Sequence, residues 1–169
     1  MAHATTTDYH PWGTFMAARQ EARRLGDRAI GTDHLLLGLL RDPEIESVLG
    51  VSLAEAREAL ATLDLNALHS IGVESIPNTP TYVDLPTPKR PSMKLVMGSR
   101  MKLSPAAKRA LQEAGRPMRR RRQITPQRVL AALLESDEPD PAATLLRALG
   151  INRAELRIKL EENDPEKPV

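Results

Sequence analysis

Apolar positions along this chain fall in short helical periods, and the plan is written twice. Trp12, Phe15, Ala18, Ala22 and Leu25 recur at spacings of three and four, which is one face of an amphipathic helix. The spacing predicts a helix over about 11–25, with Gly26 as its C-terminal stop. Leu35, Leu36, Leu37, Leu39 and Leu40 then cover nearly every side of the next helix, which Thr32 should cap and which should run to about Arg41. A helix that is apolar all round belongs at the centre of a bundle. Asp42-Pro43 opens a short turn or helix ending near Gly50. Ser52 with Glu55 makes a capping box for a helix reaching about Leu63, and Asp64 can start one more turn toward His69.

The second half uses a different device for the same purpose. Ser104-Pro105, Thr125-Pro126 and Asp140-Pro141 each put a capping side chain before a proline at the first helical position, where the missing N–H costs nothing. They open helices ending near Gly115, Glu135 and Gly150, and Asn152 caps a last one. Between the halves, Pro77, Pro80, Pro86, Pro88 and Pro91 forbid a continuous helix, and 81–85 with 94–97 reads as a small hairpin. Leu49–Leu60 returns as Leu149–Leu160 with six of twelve positions identical, each copy preceded by a leucine-rich helix. Such a repeat decides the architecture. The fold class is all-α: a duplicated four-helix unit about a pseudo-twofold axis, about eight helices, with a long irregular segment between the repeats. The division is a flexible start (1–10), a first repeat (11–70), a Pro-rich connection (71–102), a second repeat (103–163) and a flexible tail (164–169).

Composition narrows the chemistry. Aromatics are 2% of the 169 residues, so the core must be built from Leu, Ala, Val and Ile, which suits packed helices better than a β-sandwich. There is no cysteine, which removes disulfides and thiolate metal sites. No apolar run approaches the roughly 20 residues that span a bilayer, and 1–8 has no signal-peptide pattern; a cytoplasmic protein without membrane contact is expected. The net charge of +2 hides an asymmetry: Lys89–Arg128 holds 13 Lys and Arg against one acid, Glu113. Its cluster Arg119, Arg120, Arg121 and Arg122 suits nucleic-acid phosphates, but no aromatics interleave to stack on bases. A solvated loop, or one docked on an acidic surface, is the plainer reading. Met93, Met97 and Met101, with Met118 beyond, make either a soft binding stripe or core for the connection. His3, His10, His34 and His69 show no metal-ligand spacing, and no nucleophile elbow or triad signature appears. Neither catalysis, a metal nor a cofactor is expected.

Glu21-Ala22-Arg23-Arg24-Leu25-Gly26 followed by Ile30-Gly31-Thr32-Asp33-His34-Leu35-Leu36-Leu37-Gly38-Leu39-Leu40-Arg41 resembles the amino-terminal double repeat of the bacterial Clp/Hsp100 ATPases, the Clp-N domain of the ClpC type. The second copy resembles it through Leu103-Ser104-Pro105-Ala106-Ala107-Lys108 and Ile124-Thr125-Pro126-Gln127-Arg128-Val129-Leu130. Three departures accompany the match: a shortened stretch between Arg41 and Leu49, a long connection, and no G-x-x-x-x-G-K-[ST] to hold a nucleotide. The chain therefore resembles a stand-alone Clp-N protein without the ATPase, or a fragment of a larger one, the stand-alone form being the expectation. In the family the acid of each motif meets the guanidinium of a phosphorylated arginine, and nearby backbone and hydroxyl groups hold the phosphate; with Thr32-Asp33 and Gln127 at the matching positions, the resemblance implies a weakened first site and a lost second one. A planar fork of donors suits a carboxylate. Asp33 keeps the charge on a shorter arm and Gln127 has none; alternatively Asp33 only complements the helix N-terminus. The resemblance also implies a surface for cyclic-peptide ligands that includes Leu103 and Lys108. The expected function is non-catalytic binding of proteins or peptides of the Clp degradation pathway, as adaptor, competitor or decoy. The alternatives are a nucleic-acid-associated regulator using 89–128, or an accessory subunit on a Clp protease ring.

Overall fold

The computed structural model describes residues 11–73, 102–115 and 124–162. The Trp12 side chain, the expected hairpin over 81–85 and 94–97, the methionines 93, 97, 101 and 118, and Arg119–Arg122 lie outside the described residues. Among the described residues are eight helices and two very short strands. In order they are α1 (Pro11–Leu25), β1 (Ala29–Ile30), α2 (Thr32–Leu39), α3 (Pro43–Leu49), α4 (Leu53–Ser70), β2 (Lys102–Leu103), α5 (Pro105–Gly115), α6 (Pro126–Leu134), α7 (Pro141–Ala148) and α8 (Arg153–Glu162).

The two sets of four helices interlock. Helix α1 lies on α2 and α5 lies on α6, while α4 crosses to α7 and α3 crosses to α8. That reciprocal exchange is what a pseudo-twofold duplication requires. The central leucines behave as their all-round pattern demands: Leu35, Leu36, Leu37, Leu39 and Leu40 are at most 1% exposed. Leu130, Leu133 and Leu134 match them in the second half, and all join one core. Each fully buried leucine contributes about 1.5–3 kcal/mol relative to an exposed one.

Close approach in the first half depends on one glycine. A Cβ on Gly38 would lie 2.8 Å from the Ala18 nitrogen and 2.8 Å from the Thr14 carbonyl oxygen of α1. Only the missing side chain lets α2 sit this near the α1 backbone. The corresponding residue in the second half is Ala132, which is buried. Beside this crossing, Glu21 of α1 is 1% exposed and takes Arg57 of α4 and Arg41, just beyond α2, as partners. Burial pushes the Glu21 carboxyl up, but hydrogen bonds and charge from Arg57 and Arg41 outweigh it and hold the group below the ordinary glutamate value.

Most helix starts follow the capping residues. The Ser52 hydroxyl accepts from Glu55 N–H at 3.2 Å while Glu55 accepts from Ser52 N–H at 2.8 Å. Asp42, Ser104, Thr125, Asp140 and Asn152 likewise accept from backbone N–H groups of the helices they open. Thr32 differs from its expected role. Gly31 is the N-cap of α2 and Thr32 is already helical; the Gly31 N–H is taken by His34 Nδ1 at 2.9 Å. Helix α4 also runs unbroken to Ser70 past the expected pause at Asp64, because nothing before Gly72, at φ +79°, stops it. The strands pair in parallel, Ala29 with Lys102 and Ile30 with Leu103, so the entry to α2 is stitched to the entry to α5.

Candidate ligand-binding site

Two seams form where helix N-termini from opposite halves meet. At the first, the Thr32 hydroxyl donates to Asp140 Oδ1 at 2.8 Å, and the Ala142 N–H reaches Thr32 Oγ1 at 3.3 Å and Asp140 Oδ1 at 3.0 Å. The start of α2 and the start of α7 thus share one cap. Thr32 is 1% exposed, and its hydroxyl is engaged in this joint on both sides. At the second seam, Gln127 in the first turn of α6 donates from Nε2 to Glu44 Oε2 of α3 at 3.0 Å. The symmetry of the fold is kept here, although the chemistry of the two seams differs.

Asp33, next to Thr32, keeps its carboxylate beside the start of its own helix, close to Gly31. Its side chain is 15% exposed, and Oδ1 lies 3.4 Å from His34 Nδ1. Asp27 Oδ2 lies 3.1 Å from His34 Nε2 on the other edge of the ring. Burial pushes the Asp33 carboxyl above the ordinary aspartate value; His34 opposes this and the Asp27 charge adds to it. Asp64 of α4 is raised as well, by burial first and then by the charges of Asp33 and Asp27. Asp33 and Asp27 thus flank the two edges of the His34 ring beside the α2 N-terminus.

The other expected residues are distributed around these seams. Leu103 is half-buried and packs on the core from β2. Ladder pairing with Ile30, and the Ser104 N–H bond to the Ile30 carbonyl at 2.9 Å, place its backbone next to the stretch leading to Asp33. Lys108 is exposed one turn into α5. Gln127 stands at the second seam, on Glu44 and not with Asp33. It lines an open depression of about 470 Å³ with Pro43, Glu44, Ser47, Val48 and Leu160. A second depression, about 420 Å³, lies between α7 and α8 around Arg147, Gly150 and Asn152.

Sequence reasoning missed Asp27, Asp64, Glu44 and Asp140. Asp140 was visible only as a cap, and nothing in the local pattern announces that it also receives Thr32, 108 residues earlier. Asp64 was assigned to a helix start, which concealed that it sits on a continuous helix facing Asp33. No cluster of His and acidic side chains among the described residues has the arrangement of a metal centre. No described helix is long and apolar enough to cross a membrane.

Comparison with known proteins bears on the family and the fold. The family model "Clp repeat (R) N-terminal domain" matches residues 9–149. The "Negative regulator of genetic competence ClpC/MecB" of Bacillus subtilis (strain 168) is 45% identical over 73 residues, a match that covers 38% of this chain and 9% of that protein. Among solved structures, the N-terminal domain of the caseinolytic protease associated chaperone ClpD from Arabidopsis thaliana superposes with a TM-score of 0.61. It is 24% identical, over 89% of this chain and 92% of the other, a likeness that speaks for the fold alone.

Proposed function

The chain belongs to the Clp repeat N-terminal domain family, and on that premise we propose that it is a binding protein of the Clp degradation system, acting in the cytoplasm as adaptor, competitor or decoy. Its ligand at the first seam is a guanidinium-bearing segment of a protein or peptide, the phosphorylated arginine of a degradation-marked client being the form this family resemblance favours. One observation supports the reading: Asp33, at the acid's position in the motif, keeps a carboxylate that is 15% exposed at the start of α2, with Asp27 on the far edge of the His34 ring. Such a carboxylate suits the planar fork of donors of a guanidinium. Thr32 contributes by fixing the start of α2 to α7, which sets where Asp33 points. Leu103, paired with Ile30, stands beside this stretch from the second half, and Lys108 is exposed further along on α5. No reaction is assigned to the site; the effect on proteolysis is mass action, a bound client being withdrawn in proportion to free protein over its dissociation constant.

Titration calorimetry with a phosphoarginine peptide and its unmodified counterpart tests this directly. Asp33→Ala should weaken the phosphoarginine peptide about tenfold, the size of one charge-assisted contact. A pull-down from native cytosol should recover Clp subunits or arginine-phosphorylated proteins with the wild-type chain and fewer with the variant. Equal binding by both forms sinks the role of Asp33.

A further inference from the structure

At the first seam one carboxylate oxygen serves both halves. Asp140 Oδ1 accepts the Thr32 hydroxyl at 2.8 Å and the Ala142 N–H at 3.0 Å. The first bond holds the opening turn of α2, and the second caps α7, the helix that Asp140 itself precedes. Thr32 is buried, so its bond is shielded from water. Two other bonds hold the same entry. His34 Nδ1 accepts the Gly31 N–H at 2.9 Å, and the Ile30 carbonyl accepts the Ser104 N–H at 2.9 Å. Those two fix the chain ahead of the helix; the bond to Asp140 holds the residue next to Asp33. In the second copy Pro126 takes the place of Thr32 and has no hydroxyl to offer, so this joint belongs to the first seam.

We infer that Asp140 is a positioning residue for the ligand site at Asp33, and that through it the site in the first half is coupled to the start of α7 in the second. The inference rests on the reading of Asp33 as a ligand-binding residue. Asp140 acts through Thr32: it holds the first turn of α2, so that the Asp33 carboxylate keeps one direction. Direction matters for a guanidinium, because two parallel N–H···O bonds have to form at once. With the joint broken, the start of α2 must be ordered when the ligand arrives, and that cost is subtracted from affinity. The coupling is reciprocal. A ligand that fixes the start of α2 also favours the Thr32–Asp140 bond, and with it the cap of α7.

Two variants of the full chain separate the joint from the cap. Asp140→Ser keeps a capping hydroxyl for α7 but is too short to hold Thr32, while Asp140→Asn keeps an acceptor for both bonds. In calorimetry with the phosphoarginine peptide, Asp140→Ser should weaken binding about fivefold, the size of one buried hydrogen bond, and Asp140→Asn should stay within about twofold of wild type. Thr32→Val removes the hydroxyl at nearly constant shape and should match Asp140→Ser; the double variant should be no weaker than either single one. In wild type the peptide should slow hydrogen exchange at the Ala142 amide, and in Asp140→Ser it should not. Full affinity in Asp140→Ser overturns the inference. So does a loss in Asp140→Asn as large as in Asp140→Ser, or losses that add in the double variant. If wild type does not bind the peptide, the reading of Asp33 falls and the role of Asp140 falls with it. If Asp33→Ala weakens binding and Asp140→Ser does not, the reading of Asp33 stands and the positioning role alone is lost.

Discussion

The duplicated segment carries the same arginine in both halves, and the two copies do opposite things. Arg57 of α4 reaches inward to Glu21, which is 1% exposed, and shares it with Arg41. Arg157 of α8 reaches outward to Glu135, 3.1 Å away, where the two side chains are 50% and 63% exposed. The arginine keeps its place in the repeat; the acid that meets it does not. The apolar skeleton is kept in both halves while these charges differ, so the two pairs should contribute unequally to stability.

The largest test of that contrast removes each acid. Glu21→Ala should cost about 2–3 kcal/mol in urea denaturation at pH 7, somewhat under a fully buried pair because Arg57 and Arg41 keep partial access to water. Glu135→Ala should cost less than about 0.5 kcal/mol. The pH dependence follows with a definite sign. Glu21 titrates below the ordinary glutamate value of 4.5 in the folded protein, so its contribution is complete above that value and is lost as pH falls through the lower folded one. Equal losses for the two substitutions would show that the first half has no special electrostatic anchor.

A smaller effect probes the crossing beneath these pairs. Gly38→Ala gives the first half the residue of the second, but its Cβ would press on the α1 backbone at Ala18 and Thr14. It should cost about 2 kcal/mol through forced separation of α1 and α2. The reverse change, Ala132→Gly, should cost only about 1 kcal/mol, the helix-propensity penalty. A neutral Gly38→Ala in the same denaturation assay would mean that the helices can part freely.

Gly38 also marks the boundary of what the sequence disclosed. Leucine periodicity, proline-led helix starts and the repeat gave the bundle, because each is a local consequence of helical geometry. The parallel stitch of Ile30 to Leu103 was not legible, since two-residue strands carry no periodicity and their partner lies across the connection. The same limit applied to the sites. Asp33 stood out through its motif, and Gln127 through the same motif without the acid. Glu44 and Gln127 are 83 residues apart, and only the exchange of helices between halves makes them neighbours. Thr32 was expected to cap its own helix because local rules cannot foresee that its hydroxyl finds a better partner in Asp140.

The smallest effect separates a helix-terminus role for Asp33 from a carboxylate held against the cost of its burial. If Asp33 serves only the α2 dipole, Asp33→Asn destabilises the protein at neutral pH by a few tenths of a kcal/mol. Burial of the carboxyl predicts the opposite sign. In the folded protein the Asp33 carboxyl is held above the ordinary aspartate value of 3.8. The protonated form is thus favoured by folding, and stability is lost as pH rises through the folded value. Asparagine mimics the protonated form, so the variant should be more stable than wild type at pH 7 by roughly 0.5 kcal/mol. The advantage should shrink steadily as pH is lowered and be gone below about 3.8, where wild type carries the proton in both states. The equivalent Gln127→Glu change, which adds a charge beside Glu44, should lower stability at pH 7 in the same thermal or urea assay, because two carboxylates then replace a hydrogen bond. A destabilising Asp33→Asn at neutral pH would leave the first seam an ordinary helix start, and would remove the physical ground for reading it as a place where a cation binds.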